Sequence, residues 1–171
     1  MQFFLKPESG AEVLFLVWDS CGRPVYRVVG EFNPFGCRCF LRDEEKKNAA
    51  RMTGVYLPFS FRCSISAGGR RLRMTVKPSA PHRAVQFKGV CWRFRGSILT
   101  RSFDIVEELD ARGKGRRHTQ VVMTHGRCWN KRADCYALEI PRAADVPLAV
   151  CVAAAIDSAV LSGCAAPVPA E

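Results

Sequence analysis

Residues 146–156, "VPLAVCVAAAI", run for eleven positions without a charge or an amide before Asp157 closes the stretch. A segment that apolar on every side has to be buried, either in a bilayer or in the protein itself. Asp145 is placed to cap a helix, Pro147 is tolerated in its first turn, and Gly163 supplies a stop, so a helix is expected over about 146–162. At 1.5 Å per residue it would span roughly 25 Å. The uncharged run falls short of the roughly 17–25 residues a bilayer crossing requires. Asp157 would also lie inside any span extended to Leu161. Ala, Val and Cys dominate the stretch, and such small side chains suit a crowded interior. The expectation is a central core helix and no transmembrane span.

What surrounds such a helix is legible in the period of the preceding residues. In "VLFLVWD", Leu14, Leu16 and Trp18 alternate with Val13, Phe15 and Val17, all apolar, so this strand is expected to be covered on both faces. The turn "DSCGR" leads to a return strand "PVYRVVG". A second hairpin follows, in which "CRCFLRD" puts Cys37, Cys39 and Leu41 on one face, "DEEKKN" turns and "AARMTGVY" comes back. A third runs "PFSFRCSI", "SAGGR", "RLRMTVK", with Leu72, Met74 and Val76 facing in and Arg71, Arg73 and Lys77 facing out as a basic stripe. Beyond the link "PSAPHR", Val85 and Phe87 share a face, Trp92 and Phe94 share a face, and Arg93 and Arg95 take the opposite one. "RSFDIVEE", the turn "DARGKGRR", "TQVVMTHG" and "ADCYALEI" complete the series, the last with Tyr136, Leu138 and Ile140 inward. A succession of hairpins with frequent turn signals points to an antiparallel barrel or sandwich.

A chain of 171 residues with 48% apolar residues makes one domain, expected over residues 1–163 with a flexible tail at 164–171. Met1–Leu5 is apolar, but Lys6, Pro7 and Glu8 interrupt it before a secretory signal core could form. Nine cysteines, odd in number and without a C-x-x-C pair, are expected to be reduced thiols packed as small hydrophobes in a cytoplasmic, reducing compartment. A zinc site would have to draw on Cys37, Cys39, Cys128 and His125, whose spacing does not form a ligand motif. No metal or cofactor is therefore expected. Charge says more. The net charge is +10, and between Lys46 and Phe103 there are thirteen Lys or Arg residues and no Asp or Glu. A second acid-free stretch, Ala111–Ala133, contains Arg112, Lys114, Arg116, Arg117, Arg127, Lys131 and Arg132. Such a field suits an anionic partner, lipid headgroup or nucleic acid, as well as simple solvation.

Taken in order, "FLVWDSCGRPVYRVVGEF", "FLRDEEKKNAARM", "VQFKGVCWRFRGSILTRSFDIVE", "VVMTHGRCWNKRADCYALEI" and "VPLAVCVAAAIDSAV" resemble the LURP-one-related family, from about Phe3 to Leu161. The most specific part is a D-x-Y-x-L-E-I strand before an apolar helix closing in I-D. That family is placed in the tubby C-terminal-like superfamily, with phospholipid scramblases as distant relatives. The resemblance implies a closed antiparallel barrel of about twelve strands around its hydrophobic C-terminal helix. It also implies phosphoinositide binding and membrane tethering as the functions associated with tubby-like proteins. The headgroup-binding residues of those proteins cannot be placed on this chain. A cysteine cluster for multiple acylation and an acidic calcium loop, both scramblase features, are missing.

Catalysis has little support in the sequence. His82, His118 and His125 lie in or beside predicted turns and are expected to be exposed, and no nucleophile occurs in a spacing that demands a partner. Asp157 is expected to be a helix carboxylate satisfied by a neighbouring Arg or by backbone donors. The leading expectation is a non-enzymatic binding or scaffold domain that meets anionic phospholipid as a peripheral membrane tether, with protein partners compatible with the scaffold role. The residues expected to carry this are Arg70, Arg71, Arg73, Lys77, Arg93, Arg95, Arg112, Lys114, Arg116 and Arg117. Nucleic-acid binding is the second reading, although alternation in "CWRFR" places Trp92 and Phe94 opposite Arg93 and Arg95. A ligand-holding barrel is the third, and a barrel filled by its own helix leaves little room for it.

Overall fold

Short polar side chains fix the turns that fold this chain back on itself. In the computed structural model, which describes residues 1–8, 13–33, 35–77, 84–110, 117–128 and 135–161, the Asp19 carboxylate accepts the backbone N–H groups of Cys21 and Arg23 at 2.9 Å each. The Asp43 carboxylate accepts the N–H of Lys47 at 2.8 Å, and Asn33 Oδ1 accepts those of Phe35 and Gly36. Each is a side chain imitating a backbone acceptor, which closes a reversal without further residues.

Between the turns run β1 (Gln2–Pro7), β2 (Val13–Asp19), β3 (Pro24–Asn33), β4 (Gly36–Asp43), β5 (Asn48–Leu57) and β6 (Ser60–Ala67). They continue with β7 (Arg70–Val76), β8 (Val85–Lys88), β9 (Trp92–Ser97), β10 (Ser102–Asp110), β11 (Arg117–Arg127) and β12 (Tyr136–Glu139). All pairings are antiparallel, and the order is β8-β7-β6-β5-β4-β3-β2-β1-β12-β11-β10-β9. The sheet is thus a nearly closed twelve-stranded barrel whose two edges, β8 and β9, are adjacent in the chain and meet at a seam. Phe87 and Trp92 pack edge to face there, with ring centroids 6.0 Å apart. The chain breaks between these two strands at Gly89, whose φ of +89° favours glycine. β1 had no counterpart among the expected strands. It joins the two ends of the chain, pairing with β2 on one side and β12 on the other.

Alternation holds around the barrel. Leu5, Phe15, Val17, Val28, Cys39, Leu41, Met52, Ile65, Leu72, Met74, Val76, Tyr136, Leu138 and Ile140 all face a dry interior. β2 departs from expectation. Phe15 and Val17 are buried, but Leu14, Leu16 and Trp18 are only half covered, because no second layer lies outside the barrel. The interior is occupied by α1 (Val146–Leu161), which a 3-10 turn at Ala143–Asp145 delivers into the barrel. Leu148 to Ser158 are buried without exception, and α1 touches β3, β5, β6, β7 and β11, strands from different sides of the wall. Three successive alanines, Ala153–Ala155, let the helix fit, since larger side chains on every face would overfill a twelve-stranded barrel. Residues 143–160 are long and apolar enough to cross a membrane by composition, with mean hydropathy 1.7, yet 78% of them are buried within the protein. The central helix anticipated from residues 146–156 is thus the one observed. Its expected stop at Gly163 and the tail lie outside the described residues.

Asp145 does not act through the capping contact the sequence suggested. Its buried carboxylate receives Arg70 Nη1 at 2.6 Å and Arg142 Nε at 2.5 Å, and Arg142 also reaches Glu107 at 2.7 Å. This network ties β7, β10 and the start of α1 together at one rim of the barrel. Glu107 first, and then Asp145, raise the Arg142 pKa.

Candidate functional site

The acid-free stretch of sequence folds into one contiguous wall, β5 to β9. Because side chains alternate, every basic residue at an outward position of β5–β8 joins a single outer surface. Cross-strand register places Thr53, Ser64, Arg73 and Lys88 in one row and Val55, Arg62, Thr75 and Gln86 in the next. The twist of the sheet makes a shallow groove here of about 530 Å³, lined also by Lys77. Its cations are Arg62, Arg73, Lys77 and Lys88, and its floor carries the hydroxyls of Thr53, Ser64 and Thr75. None of the four cations has a carboxylate partner among the described residues. A neighbouring concavity of about 560 Å³ adds Arg51 and Arg71, with the Arg51 guanidinium 6.0 Å from the Phe40 ring centroid.

Chemically, this arrangement offers several unpaired, exposed cations around small hydroxyl donors and no acid to neutralise them. Guanidinium forks of this kind are able to grip anionic oxygens in pairs. No aromatic side chain lies in the groove to stack on a base.

The expected site residues do not all arrive at this surface. Arg71, Arg73 and Lys77 do, sharing the outer face of β7 and its end. Arg70 turns to Asp145 and lies with its guanidinium 5.8 Å from the Trp92 ring centroid, so it serves the rim network. Arg93 pairs with Glu108 at 2.8 Å, and Arg95 sits opposite Asp104 across β9 and β10, where acids return to the sequence. Arg117 begins β11 opposite Asp110 and is a strand residue, not the turn residue expected. Arg112, Lys114 and Arg116 lie outside the described residues. Conversely, Arg62 and Lys88 were not singled out from sequence. Arg62 stands on the other arm of the β6–β7 hairpin and Lys88 on the next strand, β8, and the register brings the three side by side.

His125 also corrects an expectation. It is buried within β11, with its ring stacked between Phe103 (centroids 4.3 Å apart) and Tyr136 (5.0 Å). Nδ1 donates to the Arg101 carbonyl at 2.9 Å, and Nε2 faces Asp157 Oδ2 at 3.3 Å. Asp157 therefore finds an imidazole partner in place of the expected Arg or backbone donors. Arg101 donates to the Tyr136 hydroxyl, closing the cluster from the rim. The His–Asp pair is sealed from solvent, which makes it a packing device at the end of α1. His118 is exposed beside its turn as expected, and His82 lies outside the described residues.

Three of the buried thiols are made inert by environment, whereas the pKa of Cys37 is lowered, first by its hydrogen bond with Cys39. Burial pushes Cys151 up to about 12 and Cys63 well above its ordinary value, and Cys39 is raised first by its hydrogen bond with Cys37 and then by burial. The ligands that a zinc site would need are dispersed, and among the described residues no three His, Cys, Asp or Glu side chains group as metal ligands.

A nearly closed antiparallel barrel around an apolar helix, with one acid-free cationic wall, defines the class of molecule. The model of the family described as LURP-one-related matches residues 1–157, and the chain belongs to that family. Among solved structures, an X-ray structure of a protein from Arabidopsis thaliana aligns over 94% of this chain and 91% of its own, with 14% identity and a TM-score of 0.52. At that identity the likeness is one of fold. No curated protein matches in sequence.

Proposed function

We propose that this protein is a non-enzymatic binding module whose β5–β8 wall holds anionic phospholipid headgroups, tethering it peripherally to a cytoplasmic membrane surface. The observation that carries the reading is the groove of Arg62, Arg73, Lys77 and Lys88, cationic, exposed and without carboxylate partners. Each such residue near an anionic surface adds about 1 kcal/mol of attraction, so four acting together supply about 4 kcal/mol, a retention of about millimolar strength without a deep pocket. The LURP-one-related family is placed in a superfamily with tubby-like proteins, which are associated with phosphoinositides, and that placement supports the same reading. Burial of the one His–Asp pair and of Trp92 speaks against a catalytic centre or a base-stacking platform built from them.

Sedimentation with vesicles tests it. Phosphatidylcholine vesicles containing phosphatidylserine or a phosphoinositide should retain the protein at low salt, and retention should fall steeply as ionic strength rises. Pure phosphatidylcholine should retain little. Failure of every anionic vesicle at low salt would end the proposal, and tight, salt-sensitive capture by an oligonucleotide alone would replace it.

A further inference from the structure

Because neighbouring strands alternate in direction, the turns that follow odd-numbered strands share one rim of the barrel. That rim carries large apolar side chains in water. Phe35, in the β3–β4 turn, is 83% exposed, Phe59, in the β5–β6 turn, 59%, and Leu99, in the β9–β10 turn, 68%. Leu57 and Val55 are exposed beside Phe59. The first two turns are joined, since Tyr56 N–H donates to the Phe35 carbonyl at 3.0 Å. On the opposite rim the turns at 20–23, 44–47 and 68–69 present no exposed large apolar side chain, and the exposed apolar residues there are Met1 (49%), where β1 begins, and Leu109 (44%), near the end of β10.

Phe59 is held there against its backbone preference. Leu57 pairs with Ser60, leaving Pro58 and Phe59 as a two-residue turn. Proline suits the first position of such a turn, and glycine or asparagine the second, where φ is positive. Phe59 has φ +63°, an unfavourable conformation for a bulky residue. Folding alone would favour glycine at this position. An aromatic ring is kept instead, strained and in solvent.

The basic groove begins beside these tips, for Arg62 lies two residues past Ser60 on β6 and Lys77 follows the end of β7 at the same rim. Apolar tips with a cationic collar complement the layering of an anionic bilayer, which has phosphates outside and acyl chains within. We propose that this rim is the edge that enters the membrane: Phe35, Leu57 and Phe59 insert at the level of the acyl boundary while the β5–β8 wall leans on the headgroups. The inference rests on the lipid-binding reading above and adds to it an orientation and a depth. Membrane attachment by charge alone is shallow and reversible, and a second, apolar signal makes it durable.

Two variants separate this inference from its parent. Phe59→Trp places a reporter at the tip, and Cys21→Trp places one on the opposite rim. With phosphatidylcholine–phosphatidylserine vesicles whose acyl chains carry bromine, the Phe59→Trp protein should gain blue-shifted emission quenched beyond the wild-type level, and Cys21→Trp should not. Phe35→Ser with Phe59→Asn should lower vesicle partitioning about tenfold, from the apolar area withdrawn. Its thermal midpoint should not fall, since asparagine accepts the left-handed backbone at 59. If the wild type sediments with these vesicles but the double variant binds equally well, or the tip tryptophan is not quenched, the inserted rim is refuted and protein docking becomes its occupant. If the wild type binds no anionic vesicle, the lipid reading itself has failed.

Discussion

His125 is the residue on which sequence reasoning and structure differ most. A histidine between a Thr and a Gly looks like a loop residue, but strand β11 continues through Arg127 and alternation turns this ring into the core. Stacked between two aromatic rings, it partners Oδ2 of Asp157, whose Oδ1 is buried without a hydrogen bond. His125→Ala should therefore cost about 3 kcal/mol of stability, from a cavity and an orphaned buried polar group together. His125→Phe combined with Asp157→Leu should lose less than the two single changes summed. Urea denaturation of the four proteins measures that coupling, and strict additivity would show that the pair is not one unit. Asp19, half-buried at the surface, behaves differently. Its pKa is lowered, first by the Arg23 backbone N–H, so its contribution is complete at neutral pH and disappears as pH falls below the ordinary carboxylate range. Thiols follow burial. Cys21 and Cys91, exposed, should react with a maleimide in the native state, whereas Cys39, Cys63 and Cys151 should be modified only on unfolding, as mass spectrometry of labelled peptides would report.

The element most legible in the sequence was α1, because small apolar side chains on every face and an uncharged run of only eleven residues, closed by Asp157, suit a protein interior better than a bilayer. Strands β3 to β7 were legible for a related reason: strict alternation such as Leu72, Met74, Val76 against Arg71, Arg73, Lys77 fixes which face is buried before any partner is known. β1 was not legible, since "QFFLKP" at a chain end carries no turn signal before it, and only pairing with both β2 and β12 makes it a strand. Nor could sequence show that Arg70 would leave the stripe for Asp145, a contact between residues 75 positions apart. The tight fit of α1 makes a prediction. Ala154→Leu should overfill the space between helix and wall and destabilise by about 1–3 kcal/mol, read from the denaturant midpoint. A neutral result would mean that the barrel is looser around its helix than the burial of Ala153–Ala155 indicates. The seam is the weak line of the sheet. Without a hydrogen-bonded ladder between them, β8 and β9 should exchange amide protons faster than β4 and β5, which have partners on both sides.

At the scale of the whole molecule, folding sorts charge. A stretch without acids becomes one wall, four acids stand on β10 and four more at the turns after β2 and β4, and a net charge of +10 becomes a directed field instead of a diffuse one. That the wall, and not the total charge, holds lipid is the central claim, and two charge-matched variants test it. Arg62→Glu with Arg73→Glu reverses the groove. Arg23→Glu with Lys47→Glu reverses two exposed residues on turns of the opposite rim, each paired only with a nearby carboxylate. Both variants exchange two positive charges for two negative ones. Vesicle sedimentation at low salt should show retention lost in the first and largely kept in the second; equal loss in both would contradict a defined lipid-binding wall and leave only non-specific attraction.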